Sequence, residues 1–296
     1  MKPGSKNKLT QIAYIILAIA ALSCVIPFIL LIIGSFTDNN DIIANGYSFF
    51  PDKWSLDAYD YLKSNSASLV KAYGITVFTT AFGTAVSLLI TSMLGYGLSR
   101  SDLPGRKILS FIVVFTLLFN GGLVPTYLMY TKIFHIKNTI WAQIFPSLLL
   151  SGFNVILMRS YFVNSIPQSL LEAARIDGAK ELTIYSKVVL PLSMPIMATI
   201  GLMVGVNYWN SWLNGLYYIT EPKYFSVQNI LNRILLDIRY LSTGMSGDVS
   251  GDLLARLPSA SIRMAIAVIG VLPILVIYPF FQKYFVKGIT LGAVKE

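Results

Sequence analysis

Charge is scarce in this chain. Lysine, arginine, aspartate and glutamate make up 12% of its 296 residues, where an average soluble domain carries about 25%. Hydrophobic residues make up 55% and the mean hydropathy is +0.65, which points to a bilayer. Cysteine occurs once, as Cys24, so an internal disulfide or a thiolate metal site is excluded. Histidine also occurs once, as His135, which supports neither a zinc site nor a Ser–His relay. No metal or catalytic residues are therefore expected. There is no GxxxxGK[ST] stretch to cradle a nucleotide phosphate. Internal repeats and low-complexity segments are absent too.

What is present is apolar and periodic. Six segments approach the ~20 residues that a membrane-spanning helix needs: about 12–35, 75–98, 108–130, 139–158, 193–214 and 264–282. The first continues too far to be a cleaved leader and reads as a retained span. None of the six windows contains Asp, Glu, Lys, Arg or His. Carriers coupled to protons or sodium usually place such groups inside their spans, so transport here would draw its energy from another source.

Six spans put both termini on one side. The N-terminus, 99–107, 159–192 and 283–296 hold thirteen basic and five acidic residues; the other side holds ten and nine. The net charge of +9 is thus mostly a topological asymmetry, and its dispersal argues against a nucleic-acid partner. The positive-inside tendency places both termini in the cytoplasm. Outer loops then cover 36–74 and 215–263. In the first, Leu56, Tyr59 and Leu62 fall at helical spacing; in the second, Val227, Ile230, Ile234 and Ile238 form a stripe.

Within the second span Thr79, Gly83, Ser87, Thr91 and Gly95 recur every four residues, so another helix can approach closely. In "FNGGLVPTYLMY" Asn120, Gly121, Gly122 and Pro125 are expected to break or bend the third span. The fold class expected is an all-α membrane protein in a single domain, with six transmembrane helices.

The most polar stretch of the middle of the chain is "SIPQSLLEAARIDGAKELTIYSKVVLPLSMP", residues 165–195. Ser165 is a candidate cap and Pro167 suits a first helical turn. The helix is expected to end near Asp177, closed by Gly178 in a left-handed conformation. A second helix would begin near Lys180 and stop at Pro191. Ala173, Ala174, Gly178 and Ala179 keep the tip small, while Glu172, Arg175 and Asp177 offer charges to a partner.

"EAARIDGA" followed by "LPLSMP" resembles the EAA motif of ABC-transporter permease subunits in binding-protein-dependent importers. "VNYWNSWL" and the tail "YPFFQKYFVKGITLGAVKE" are similar to the carbohydrate-uptake branch, the maltose-transporter permease family. Tyr185 stands where that family often has Phe. The resemblance implies that the first helix of the stretch is a cytoplasmic coupling helix between spans 4 and 5. Glu172, Ala173, Ala174, Asp177, Gly178 and Ala179 would then meet a separate ATPase. It further implies a heterodimer with a second permease, two ATPase subunits that bind ATP and Mg while this chain binds no cofactor, an extracytoplasmic solute-binding protein, and a bacterial plasma membrane location. By the same resemblance the loop around 240–256 meets the solute-binding protein, through Ser242, Gly244, Ser246, Gly247 and Asp248.

Sugar sites combine aromatic faces with amides and hydroxyls. Candidates for the substrate path are Asn120, Asn154, Asn207, Trp209 and Asn210, with Trp212 and Tyr217 near them. The aromatics at the end of the fifth span also suit an interfacial belt. The expected substrate is a sugar, an oligosaccharide in the first place. The alternatives are a non-sugar solute, an ion-coupled carrier or a membrane enzyme.

Overall fold

A computed structural model of the chain describes residues 3–64, 66–242 and 259–293. Apart from one isolated antiparallel pairing of Thr37 with Trp54, the regular structure of the described residues is helical. The helices are α1 (Pro3–Ser35), α2 (Asn39–Asn45), α3 (Asp57–Ser64), α4 (Ser66–Ser99), α5 (Arg106–Leu118), α6 (Leu123–Leu128), α7 (Trp141–Ile144), α8 (Gly152–Ser165), α9 (Gln168–Ile176), α10 (Glu181–Ile184), α11 (Leu190–Leu192), α12 (Met194–Trp209), α13 (Leu213–Tyr218), α14 (Val227–Ser242) and α15 (Ser259–Ala293).

The chain divides into two compact units. One contains Met1–Leu69 and Leu231–Pro273, the other Val70–Ile230 and Ile274–Glu296. In the first unit, Ala58 and Leu62 of α3 pack on Ile262, Ala265 and Ile266 of α15. Leu56, expected on that stripe, is instead exposed, because α3 begins one residue later, at Asp57.

The second unit is built around α4. Its small-residue stripe, Thr79, Gly83, Ser87, Thr91 and Gly95, is buried throughout. A Cβ on Gly83 would run into the Tyr208 ring of α12, and one on Gly95 would come within 2.9 Å of the Met158 side chain of α8. Small residues are what bring these backbones together.

Among the described residues, three helical segments are long and apolar enough to cross a membrane: Thr10–Ser35, Ser66–Ser99 and Ala260–Pro279. Two further pairs qualify if each bent pair counts as one span. The first pair, Arg106–Leu118 and Leu123–Ile133, is bent by 116°. The bend falls at the expected break. Gly122 adopts φ +87°, and the Asn120 side-chain oxygen accepts the Gly122 N–H at 2.9 Å. The second pair, Glu181–Leu192 and Met194–Trp209, is bent by 81°.

The fourth expected span, 139–158, is not one helix. It starts as the single turn of α7, runs irregularly from 145 to 151, and resumes as α8 through Ser165. Pro146 cannot donate to a helical ladder, and Ser147 takes φ +61°. The carbonyls this break frees are met by side chains. Tyr208 donates to the Ile144 carbonyl at 2.9 Å, and the Asn214 amide donates to Pro146 at 2.9 Å and Gln143 at 3.4 Å. Irregular backbone inside an apolar layer is tolerated only when covered in this way.

Candidate functional site

The polar stretch between α8 and α12 is a helical hairpin set against the core of the second unit. Ser165 does not cap its first helix, because α8 extends through Ser165 itself and Pro167 occupies the cap position without a side-chain bond. α9 ends in a paired closing motif. Gly178 (φ +78°) donates to Arg175 at 3.0 Å and Ala179 donates to Ala174 at 3.0 Å. This is the Schellman arrangement, and it needs a residue that accepts positive φ. Nor does the second arm stop at Pro191. It runs from Glu181 to Leu192 through a wide π turn at Tyr185–Val189. Such turns are where a helix absorbs a disruption to its hydrogen-bond ladder.

The hairpin has two faces. Leu171, Ala174 and Ala179 pack inward against a core that contains Ile184, Tyr185 and Val189. Glu172, Ala173, Asp177 and Gly178 face outward. Two large apolar side chains join them outside, Ile176 at 86% and Leu182 at 71% exposure. They flank the glycine turn. Both stand in the open on an otherwise polar segment, and sequence reading passed over them because hydropathy alone does not separate an exposed apolar residue from a packed one.

Arg175 is not free to reach a partner as expected. Its guanidinium turns back to Glu181 at 3.3 Å. The same carboxylate accepts the Tyr96 hydroxyl at 2.9 Å and pairs with Arg100. Glu181 thus fastens α9 and α10 to the end of α4. Beside it, Arg100 forms a second pair with Asp102 and holds that carboxyl down at about 2. An unfolded aspartate titrates near 3.9. The stabilisation from this pair is therefore complete above about pH 4 and is lost as pH falls towards 2. The end of α4 is closed further by Arg106 and Arg159, which both donate to the Leu98 carbonyl, at 3.0 and 3.1 Å. Replacing Glu181 with alanine is expected to quicken amide exchange across α9 a few-fold, since each partly exposed pair is worth about 0.2–1 kcal/mol. Asp102→Ala is expected to leave that exchange unchanged, and hydrogen-exchange mass spectrometry of both variants checks the contrast.

The substrate-path candidates fall on several elements. Asn154 is buried in α8. Trp209 is buried in the last turn of α12 beside the Tyr73 ring, 6.4 Å between centroids. Asn207 and Asn210 are exposed there, and Asn120 is exposed at the break after α5, its carbonyl spent on the turn. Trp209 also lines a groove of about 460 Å³ with Thr80, Thr84, Leu88, Gly201 and Gly205. The Thr80 and Thr84 hydroxyls are buried without a hydrogen-bond partner among the described residues. Of the expected solute-binding-protein contacts, Ser242 is the last residue of α14. Gly244, Ser246, Gly247 and Asp248 lie outside the described residues. Among the described residues no group of three or more His, Cys, Asp and Glu side chains forms a metal site.

Sequence reasoning also missed a buried amide cluster. Asn229 accepts from Gln143 at 2.9 Å and from the Ser226 hydroxyl at 2.7 Å, and donates to the Trp212 carbonyl at 2.8 Å. It lies so close to Gly215 that a Cβ there would overlap it.

Residues 92–291 match the family described as "Binding-protein-dependent transport system inner membrane component". Over 98% of its length the chain is 41% identical to the polygalacturonan/rhamnogalacturonan transport system permease protein YtcP of Bacillus subtilis (strain 168), covering 99% of that protein. It is 29% identical over its whole length to the arabinooligosaccharides transport system permease protein AraQ of Halalkalibacterium halodurans, again covering all of it. A chain from the crystal structure of a bacterial ABC transporter involved in the import of the acidic polysaccharide alginate superposes with a TM-score of 0.80 at 28% identity. That match covers 96% of this chain and 99% of the other.

Proposed function

The chain belongs to the inner membrane components of binding-protein-dependent transport systems, and from that premise we propose that it forms half of the translocation path of an ATP-driven importer for an oligosaccharide. The observation that carries this reading is the outward face of the hairpin. Glu172, Ala173, Asp177 and Gly178 stand exposed on the same hairpin as Ile176 and Leu182, on a frame held to α4 through Glu181. Such a surface takes a push from a second chain and passes it to a transmembrane helix. The sequence contains no phosphate-binding glycine loop of its own, so ATP and Mg sit in the partner.

In this reading the hairpin is cytoplasmic, its exposed tip is the coupling surface for one of two ATPase subunits, and a second permease completes the path. The chain crosses the bilayer six times, with 139–165 as an interrupted fourth crossing and both termini in the cytoplasm. Asn154, Asn207, Trp209 and Asn210, with the Thr80–Thr84 groove, are the candidates for the path, and the segment beyond Ser242 meets the solute-binding protein. The relatives are named for polygalacturonan and rhamnogalacturonan, for arabinooligosaccharides and for the polysaccharide alginate, which supports a cargo made of linked sugar units.

Uptake in a strain deleted for this chain tests the proposal, with labelled arabino-oligosaccharides and galacturonan fragments as probes. Loss of uptake of at least one probe, restored by the chain, is expected, as is collapse of that uptake when ATP is depleted. Uptake that survives ATP depletion but stops with a protonophore would make the chain an ion-coupled carrier instead.

A further inference from the structure

The segment that follows α1 exposes its apolar side chains together. Phe50 is 89% exposed and Trp54 63%; Ile43, Tyr47, Phe49 and Leu56 are also in the open. This aromatic edge is fixed to the end of a helix fit to span. Asp38 donates its backbone N–H to Lys53 at 3.0 Å, Ser55 donates to Phe36 at 2.8 Å, and Thr37 and Trp54 pair across the two strands of chain. Trp54 is thereby held beside residues that come directly after the apolar run Thr10–Ser35. The Phe36 ring stacks on Tyr59 at 4.9 Å, and the Ser35 hydroxyl meets the Tyr59 hydroxyl at 2.8 Å, so α3 is fastened to the same point.

The segment also satisfies much of its own backbone. The Asp41 carboxylate accepts the N–H groups of Asp52 and Lys53 at 3.0 and 3.3 Å and the Asn45 amide at 2.7 Å. Asp38 caps α2 through Asn40 and Asp41, and the Ser48 hydroxyl serves the Phe50 N–H at 3.1 Å. Irregular chain with its backbone groups satisfied internally loses less on entering the partly dehydrated headgroup layer, where the amphipathic rings of Trp54 and Tyr47 are favoured and the wholly apolar Phe50 ring gains by leaving water.

We propose that residues 43–56 form an interfacial anchor: Phe50 and Trp54 seat in the headgroup layer of the bilayer and fix the depth at which α1 ends. The occupant is lipid. Continuity with the end of the spanning helix selects it over a protein partner, because any chain placing Ser35 at the membrane surface brings Trp54 there with it. This inference rests on the membrane reading of α1 and is independent of the transported substrate.

The test uses the full chain in lipid nanodiscs, with Cys24→Ser and a nitroxide on Phe50→Cys. Oxygen, which concentrates in lipid, is expected to collide with the label more often than a water-soluble nickel chelate. In the otherwise native chain, quenching of tryptophan fluorescence by brominated lipid is expected to fall on Trp54→Phe. A label met mainly by the chelate, with quenching unchanged in Trp54→Phe, would overturn the anchor. A label open to the chelate in the lone chain and shielded only when a solute-binding protein or second permease is added would also overturn it, and would assign the patch to that protein.

Discussion

A chain carrying Glu172→Ala and Gly178→Val is expected to reach the membrane in native amounts and to import sugar about tenfold or more slowly. Gly178 sits at φ +78°, where a β-branched residue is strained by about 1–3 kcal/mol. A cost of 1.4 kcal/mol is already about tenfold in an equilibrium. The strain falls on the turn that sets Ile176 and Leu182 on either side of the tip, so it opposes the docked geometry directly. Glu172 is exposed, and no ion pair among the described residues involves it, so its loss leaves the fold within about 0.5 kcal/mol. Any effect of Glu172→Ala is then an effect on a partner. The series at 178 has a predicted order: valine is worst, alanine intermediate, and asparagine mildest, because Asn tolerates the left-handed region. Uptake rates normalised to the amount of chain in the membrane check it. Equal rates for Val and Asn would remove backbone conformation from the explanation.

The second large effect is on stability. Asn229→Leu keeps the branched shape of the side chain but is bulkier and apolar, and is expected to destabilise the chain by about 2 kcal/mol or more. The substitution leaves the Ser226 hydroxyl without its acceptor and removes one bond each from the Gln143 amide, which keeps the Tyr224 carbonyl at 3.3 Å, and the Trp212 carbonyl, which keeps the Leu216 N–H at 2.9 Å. Gln143, Ser226 and Asn229 are all buried, and each unsatisfied buried group costs about 1–3 kcal/mol. Asn207→Leu, by contrast, changes an exposed amide and is expected to stay within about 0.5 kcal/mol. Thermal unfolding of the two purified variants in one detergent gives the comparison. Similar midpoints would show that the cluster is not structural.

Those two amides mark the limit of what the sequence made legible. Periodicity placed α1, α4 and the apolar part of α15, because a long apolar run has few other outcomes. The small-residue stripe of α4 correctly marked its contact face. Gly178 was legible because the positive-φ position after a helix has a strong residue preference. The fourth span was misread as one helix. Hydropathy does not register that Pro146 and Ser147 turn the chain, or that Tyr208 and Asn214, more than sixty residues away in sequence, cover the carbonyls. Asn229 and Gln143 were overlooked for the same reason: their partners come from distant segments. Glu181 lies six residues from Arg175, and its importance comes from Tyr96 and Arg100, which no local pattern brings near it.

The central claim is that this chain carries a docking surface for a separate energy-supplying subunit. The most direct test is to tag the chain, solubilise it from its native membrane and identify what accompanies it, beside the Glu172→Ala, Gly178→Val chain. The account predicts that a P-loop ATPase and a second permease accompany the native chain, and that the ATPase alone is lost from the variant. A native chain that comes out by itself or only with copies of itself would contradict it.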